Sequence, residues 1–212
     1  MEKKLNKFER VNLVKALSLN APNNILITSH NDWEEQNQWL SQFENFTVRS
    51  FRAAPSESSD PCFPFISAKE FEKHRADLLD SGWNLIIAEG LDPSKLLFSG
   101  TVLREGDLTE VDLAMGPGVT PREVTHNGRI DKHFSLDGED LSGDRLVDEV
   151  LAKIREVETA RGERESLKNV IYEFSYYGPK VGHKKENVIF WEITGFKKLD
   201  DLGEDLISLV GG

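Results

Sequence analysis

"TEVDLAMGPGVTPREVTHNGRIDKHFSL", residues 109–136, is the stretch on which the fold turns. Its two ends alternate apolar and polar residues, the period of a half-buried strand. Its middle, residues 114–130, holds three glycines, two prolines, two arginines, one histidine and two threonines. Taken by itself the middle reads as a long hairpin loop stiffened by proline. Its glycines also let a backbone come close to an anion and aim N–H groups at it, with Arg122 adding charge. It matches neither the Walker nor the dinucleotide-binding glycine pattern. Neighbouring segments must decide between the two readings.

Upstream, "LLFSGTVLRE" and "WNLIIAEGL" read as strands, the second as the most buried in the chain. "SAKEFEKHRADLLDSG" begins on Ser67 with Glu70 three residues on, a capping box, and stops at Gly82. "RAAPSESSDPCFPF" reads as a loop rich in proline and serine. "FTVRSF" and "NILITS" are strand-like. "NDWEEQNQWLSQF" reads as a helix capped at Asn31 or Asp32. "FERVNLVKALSL" places Phe8, Val11, Leu13, Val14 and Leu17 at roughly helical spacing. Downstream, Leu146, Val150, Ile154 and Val157 repeat on one face of an amphipathic helix. "NVIYEFSYY" and "ENVIFWEITG" are strands joined by "GPKVGHKK", and "LDDLGEDLISLV" closes as a short helix. The expected class is α+β, with antiparallel-rich sheets and flanking helices in two lobes, not a regular βαβ array.

Bulk properties exclude several functions. The chain has 212 residues, 38% hydrophobic and 30% charged, with a formal net charge of −11. That suits a globular protein and argues against a general nucleic-acid binder, so a metal-dependent nuclease ranks a distant third. Cys62 is the only cysteine, which excludes an internal disulfide and fits a reducing cytoplasm. The charged N-terminus does not read as a signal peptide, and no run reaches membrane-spanning length. His30, His74, His126, His133 and His183 lack ligand spacing, and no nucleophile elbow is present.

Two features bear on chemistry. Arg49, in "VRS", sits on a strand and can aim a planar fork of donors at a phosphate, or else face solvent. Glu173 and Glu192 fall in neighbouring antiparallel strands and could share Mg²⁺. Buried together without a cation, one of them would have to stay protonated. Alternation sets Trp191 and Ile193 opposite Glu192, so solvent exposure of the glutamates is the competing reading.

The order of these pieces resembles a known family. "TVRSFRAAPSESSD", the helix at 67–80, "NLIIAEGLDP", "FSGTVLRE", "VDLAMGPGVTPREVTHNGRID", the helix at 142–160, "VIYEFSYY" and "VIFWEITG" follow the sequence of segments in the ATP-grasp domain of pyruvate phosphate dikinase and phosphoenolpyruvate synthase. The resemblance covers roughly residues 46–195. It implies a single ATP-grasp-like domain over 1–212, divisible into a small lobe 1–85 and a larger lobe 86–212. It implies Mg²⁺ and ATP as ligands. Arg49 would bind phosphate, and Ala88, Glu89 and Leu91 would meet adenine through the backbone. Arg122 would lie on a mobile phosphate-side loop, with Glu173 and Glu192 on the metal. The activity implied is an ATP-dependent phosphotransferase or ligase, or a degenerate relative of one. "WEITG" lacks the family's arginine, Phe51 replaces its second serine, and the phosphohistidine and barrel domains are absent. The alternative is a non-catalytic module for protein interaction or homo-oligomerisation that keeps only the fold. No membrane or nucleic-acid partner is expected.

Overall fold

The computed structural model describes residues 5–52, 60–138, 141–160, 170–178 and 187–195. The chain divides into two compact units, Pro22–Pro93 and Met1–Ala21 with Ser94–Gly212. The expected C-terminal helix and residues 179–186 of the connection between the last two strands lie outside the described residues.

The smaller unit contains β1 (Asn24–Ile27), α2 (His30–Glu35), α3 (Asn37–Leu40), β2 (Asn45–Phe51), β3 (Cys62–Ser67), α4 (Ala68–Asp80) and β4 (Asn84–Ala88), while α1 (Lys7–Ala16) belongs to the other unit. The four strands form one antiparallel sheet in the order β1-β4-β2-β3. Phe46, Val48, Leu85 and Ile87 point from one face onto Trp33, Leu40 and Phe71 of the helices. The Ser67–Glu70 capping box forms as the sequence predicts, with both reciprocal bonds made.

Two local expectations are corrected. The cap of α2 is Ser29, not Asn31 or Asp32; Asp32 is the acid of the capping box. Its carboxylate accepts from the Thr28 hydroxyl, the Thr28 N–H and the Ser29 N–H, which holds its pKa below the ordinary value. The helix also breaks at Gln36 into two short pieces. The second correction concerns "PCFPF", read as loop, which is largely strand β3. Pro64 is tolerated because β3 is an edge strand and its ladder carries a register irregularity opposite Phe46–Val48.

The larger unit contains α1 (Lys7–Ala16), β5 (Leu96–Glu105), β6 (Leu108–Met115), α5 (Pro121–Thr125), β7 (Lys132–Asp137), α6 (Arg145–Ala160), β8 (Val170–Tyr177) and β9 (Val188–Thr194). Its antiparallel sheet runs β7-β6-β5-β8-β9. Val147, Val150, Leu151, Ile154 and Val157 of α6 pack with Phe98, Val102, Val111, Leu113, Tyr172 and Phe174 of the strands. Each such side chain contributes roughly 1.5–3 kcal/mol by leaving water. Gly100 sits mid-β5 because an added Cβ would lie 2.2 Å from the Asp112 carbonyl oxygen. The segment after α1 lies along the edge of β9. There the Phe190 N–H donates to Asn20 O at 2.8 Å, and Asn20 Nδ2 donates to Val188 O at 2.8 Å. That contact closes a strand edge that would otherwise offer free backbone groups.

Candidate functional site

Strands alternate their side chains, so every residue between two core residues of β5, β6 and β8 belongs to the opposite face of the sheet. On that face one row crosses all five strands: His133, Asp112, Thr101, Glu173 and Glu192. Each is the direct cross-strand partner of the next. The row begins wet and ends dry. His133 Nδ1 lies 2.7 Å from Asp112 Oδ1 at a partly exposed position. Thr101, Glu173 and Glu192 are 8%, 9% and 3% exposed.

Burial removes the solvent-exposed reading of the two glutamates. The geometry of Trp191 also differs from simple alternation. A register shift between Glu173 and Phe174 makes Trp191 the extra residue of a β-bulge. Its indole N–H therefore donates to Ser175 Oγ at 2.8 Å, on the same face as Glu173. Ser175 Oγ in turn lies 2.6 Å from Ser99 Oγ.

Two opposed carboxylates withdrawn from water need compensating positive charge. Arg10 of α1 supplies some of it: its Nε lies 2.7 Å from Glu192 Oε1. The arrangement also suits a hard divalent cation. Mg²⁺ prefers oxygen donors and is commonly held by one or two carboxylates, with waters and substrate phosphates completing the shell. Among the described residues no group of three or more His, Cys, Asp or Glu side chains is placed to hold a metal.

The loop that opens the sequence reading is more than an open hairpin. β6 and β7 do pair, but the connection contains α5, with Pro121 at its first turn. Gly116 and Gly118 take φ of 115° and 73°, a backbone that other residues rarely adopt. Ser99 Oγ donates to Val119 O at 2.7 Å, so the loop is tied to the polar face of the sheet. Its base is closed by Asp131, which accepts the Met115 N–H at 2.7 Å and pairs with Arg129 at 2.8 Å. The Met115 amide, then Arg129, hold the Asp131 pKa down. Arg122 is half-buried in α5.

The other sequence candidates lie in the smaller unit. Arg49 is half-buried in β2, partnered by Ile86 of β4 and Cys62 of β3, on the face away from Phe46 and Val48. Ala88 ends β4 and is paired on both sides, with Asn24 and Thr47. The Glu89 N–H donates to Asn23 O at 2.8 Å. Its carboxylate accepts from Asn23 N at 3.1 Å and Asn23 Nδ2 at 3.0 Å. Gly90 follows because a Cβ there would fall 1.6 Å from Asn45 O, and Leu91 is buried. The 88–91 turn is thus fixed by its own contacts. Arg49, Ala88, Glu89 and Leu91 belong to one unit, and Arg122, Glu173 and Glu192 to the other.

Sequence reasoning missed Asp112, Thr101, His133 and Arg10. Asp112 and His133 lie in strands it recognised, but which residues face each other depends on register. Arg10 carried no local signal at all.

The fold is that of ATP-grasp proteins: α+β, two antiparallel sheets, flanking helices. N5-carboxyaminoimidazole ribonucleotide synthetase (purK), solved as its ADP complex, aligns with a TM-score of 0.56 at 14% identity. The match covers 89% of this chain and 44% of that one. D-alanyl-alanine synthetase A of Vibrio cholerae aligns at a TM-score of 0.49 and 12% identity, over 97% of this chain and 64% of that one. The macrocyclase MdnC of Microcystis aeruginosa, bound with precursor peptide MdnA, gives 0.49 and 11%, over 97% and 57%. The chain therefore spans between 44% and 64% of the length of these three proteins. No family model and no curated protein sequence matches it. Among the described residues no helix is long and apolar enough to cross a membrane.

Proposed function

We propose that the protein binds Mg·ATP and serves an ATP-dependent ligase or phosphotransferase reaction. One observation carries the reading: Glu173 and Glu192 are buried and directly opposed across β8 and β9, in a chain with an ATP-grasp fold. Mg²⁺, when bound, would neutralise charge on the transferring phosphate oxygens. The two glutamates would hold it by one or more carboxylate oxygens. Arg122 stands as a phosphate-side residue on a loop tied to the same sheet. In the smaller unit, Arg49 is the candidate for phosphate. The backbone of Ala88, Glu89 and Leu91 is the candidate for adenine, and the Asn23 contacts leave the Glu89 side chain a structural task. The narrower likeness to the dikinase and synthase domain rests on the order of sequence segments, and the phosphate acceptor is left open by it.

Isothermal titration with ATP, with and without Mg²⁺, tests this reading. Saturable Mg²⁺-dependent binding is expected, weakened by Arg49→Ala and lost in Glu173→Gln with the fold intact. A site filled at ~100 times its dissociation constant adds roughly 2.7 kcal/mol of stability. Absence of both heat and thermal shift at millimolar nucleotide removes the proposal.

A second reading is a non-catalytic module. The Arg10–Glu192 ion pair favours it, because that contact already answers part of the carboxylate charge. It predicts no nucleotide binding and either self-association or capture of a partner, read by light scattering on a size-exclusion column.

A further inference from the structure

We propose that Trp191, Ser175 and Ser99 are positioning residues, a one-way chain of hydrogen bonds that fixes the Arg122 loop relative to the strand bearing Glu192. The inference rests on the Mg·ATP reading above and adds what holds its phosphate side in register with its metal side.

The direction of the chain follows from which atoms own protons. The Trp191 indole nitrogen can only donate, and it donates to Ser175 Oγ at 2.8 Å. The Val119 carbonyl can only accept, and it accepts from Ser99 Oγ at 2.7 Å. A serine hydroxyl has one proton. That of Ser99 is committed to Val119 O, so the 2.6 Å contact between the two hydroxyls is Ser175 donating to Ser99. Every proton of the chain therefore points from β9 toward the loop. All four residues are buried. In such a place a missing link leaves a polar group without its partner, and linked hydrogen bonds strengthen one another.

Both ends are placed for the role. The β-bulge brings Trp191 onto the polar face immediately before Glu192. Ser99 and Ser175 are direct cross-strand partners, the next pair on that face after Thr101 and Glu173. The chain thus crosses the sheet beside the acidic row. At its other end, Val119 follows the two positive-φ glycines, Gly116 and Gly118, and comes just before Pro121 and Arg122 of α5. Asp131 and Arg129 close the base of the loop through Met115, whereas Ser99 pins it ahead of α5. Releasing Val119 O frees α5 to move about the glycines while the base stays shut.

Hydrogen exchange on the ligand-free full chain tests the pin, and calorimetry with Mg·ADP tests its use. Ser99→Ala should speed exchange of the Glu123, His126 and Arg129 amides about tenfold, with the amides of α6 and of the smaller unit unchanged. Trp191→Phe and Ser175→Ala should each quicken the same amides to a lesser degree, because they act through Ser99. Loop amides that keep the wild-type rate in Ser99→Ala, or a rise spread evenly over the larger unit, overturn the inference. Loosening by Ser99→Ala alone confines the tie to Ser99 and overturns its reach to β9. In calorimetry Ser99→Ala should weaken Mg·ADP severalfold, and should weaken it little further in an Arg122→Ala background. Losses that simply add overturn the placing of Arg122 by the chain. If the wild type binds no Mg·ADP while the exchange pattern is as expected, the nucleotide reading falls and the pin stands. If the wild type binds Mg·ADP and the exchange pattern does not change, the pin falls and the nucleotide reading stands.

Discussion

Along β8, Tyr172, Phe174 and Tyr176 alternate with Glu173 and Ser175, and all five are withdrawn from water. The two sets are buried for opposite reasons. The aromatic face packs against α6, and the apolar atoms it hides from water favour folding. The polar face hides a carboxylate and a hydroxyl, which is costly unless each finds a partner. Ser175 finds Ser99 and Trp191; Glu192, across from Glu173, finds Arg10. Apolar residues of the same size often fold as well in such a place, so this face is the one on which the Mg·ATP proposal depends.

The contrast can be broken from either side. Phe174→Ala should have the largest effect, about 3–5 kcal/mol lost in urea unfolding, because it opens a cavity in the core. Glu173→Gln should act on the ligand instead: the protein stays folded, while the roughly 2.7 kcal/mol gained from saturating Mg·ATP disappears. A Glu173→Gln protein that unfolds as readily as Phe174→Ala would mean the polar face is structural. Ser175→Ala should cost about 1–3 kcal/mol, since it leaves the buried Trp191 N–H without its acceptor.

The smallest effect concerns pH. The Asp131 carboxyl is held below its ordinary value of 3.8 by the Met115 amide and then Arg129. A depressed folded-state pKa contributes stability that is present above the ordinary value and lost as pH falls through the lowered one. Asp131→Asn should therefore flatten the acid limb of a stability–pH curve only slightly, because the group is fully exposed. A large change in that slope would place more weight on the loop base than on the buried face.

Much of the architecture was legible because local rules and tertiary packing agree. The Ser67 capping box, the apolar run of β4 and the periodic face of α6 each announce themselves within a dozen residues. Segment order pointed to an ATP-grasp-like fold, and the likeness to purK bears out the fold but not the narrower dikinase and synthase resemblance. The failures mark places where distant contacts override local signals. β3 was read as loop because prolines and serines dominate its surroundings; an edge position is what lets it pair. Trp191 was assigned to the wrong face because a bulge interrupts the period of two. That Glu173 and Glu192 fall on neighbouring strands was readable, since the two strands are close in sequence; their direct opposition depends on the register. The continuation of that row to Thr101, Asp112 and His133 was not, since two further strand registers must be known.

Asn20 and its partner at Val188 are 168 residues apart. At roughly 5–20 residues per second of synthesis, the first helix leaves the ribosome about 8–34 seconds before the strand that receives it exists. Throughout that interval the Asn20 carbonyl and side-chain amide lack their β9 partners. The α1 end of the larger unit therefore completes its seat only once β9 has been made.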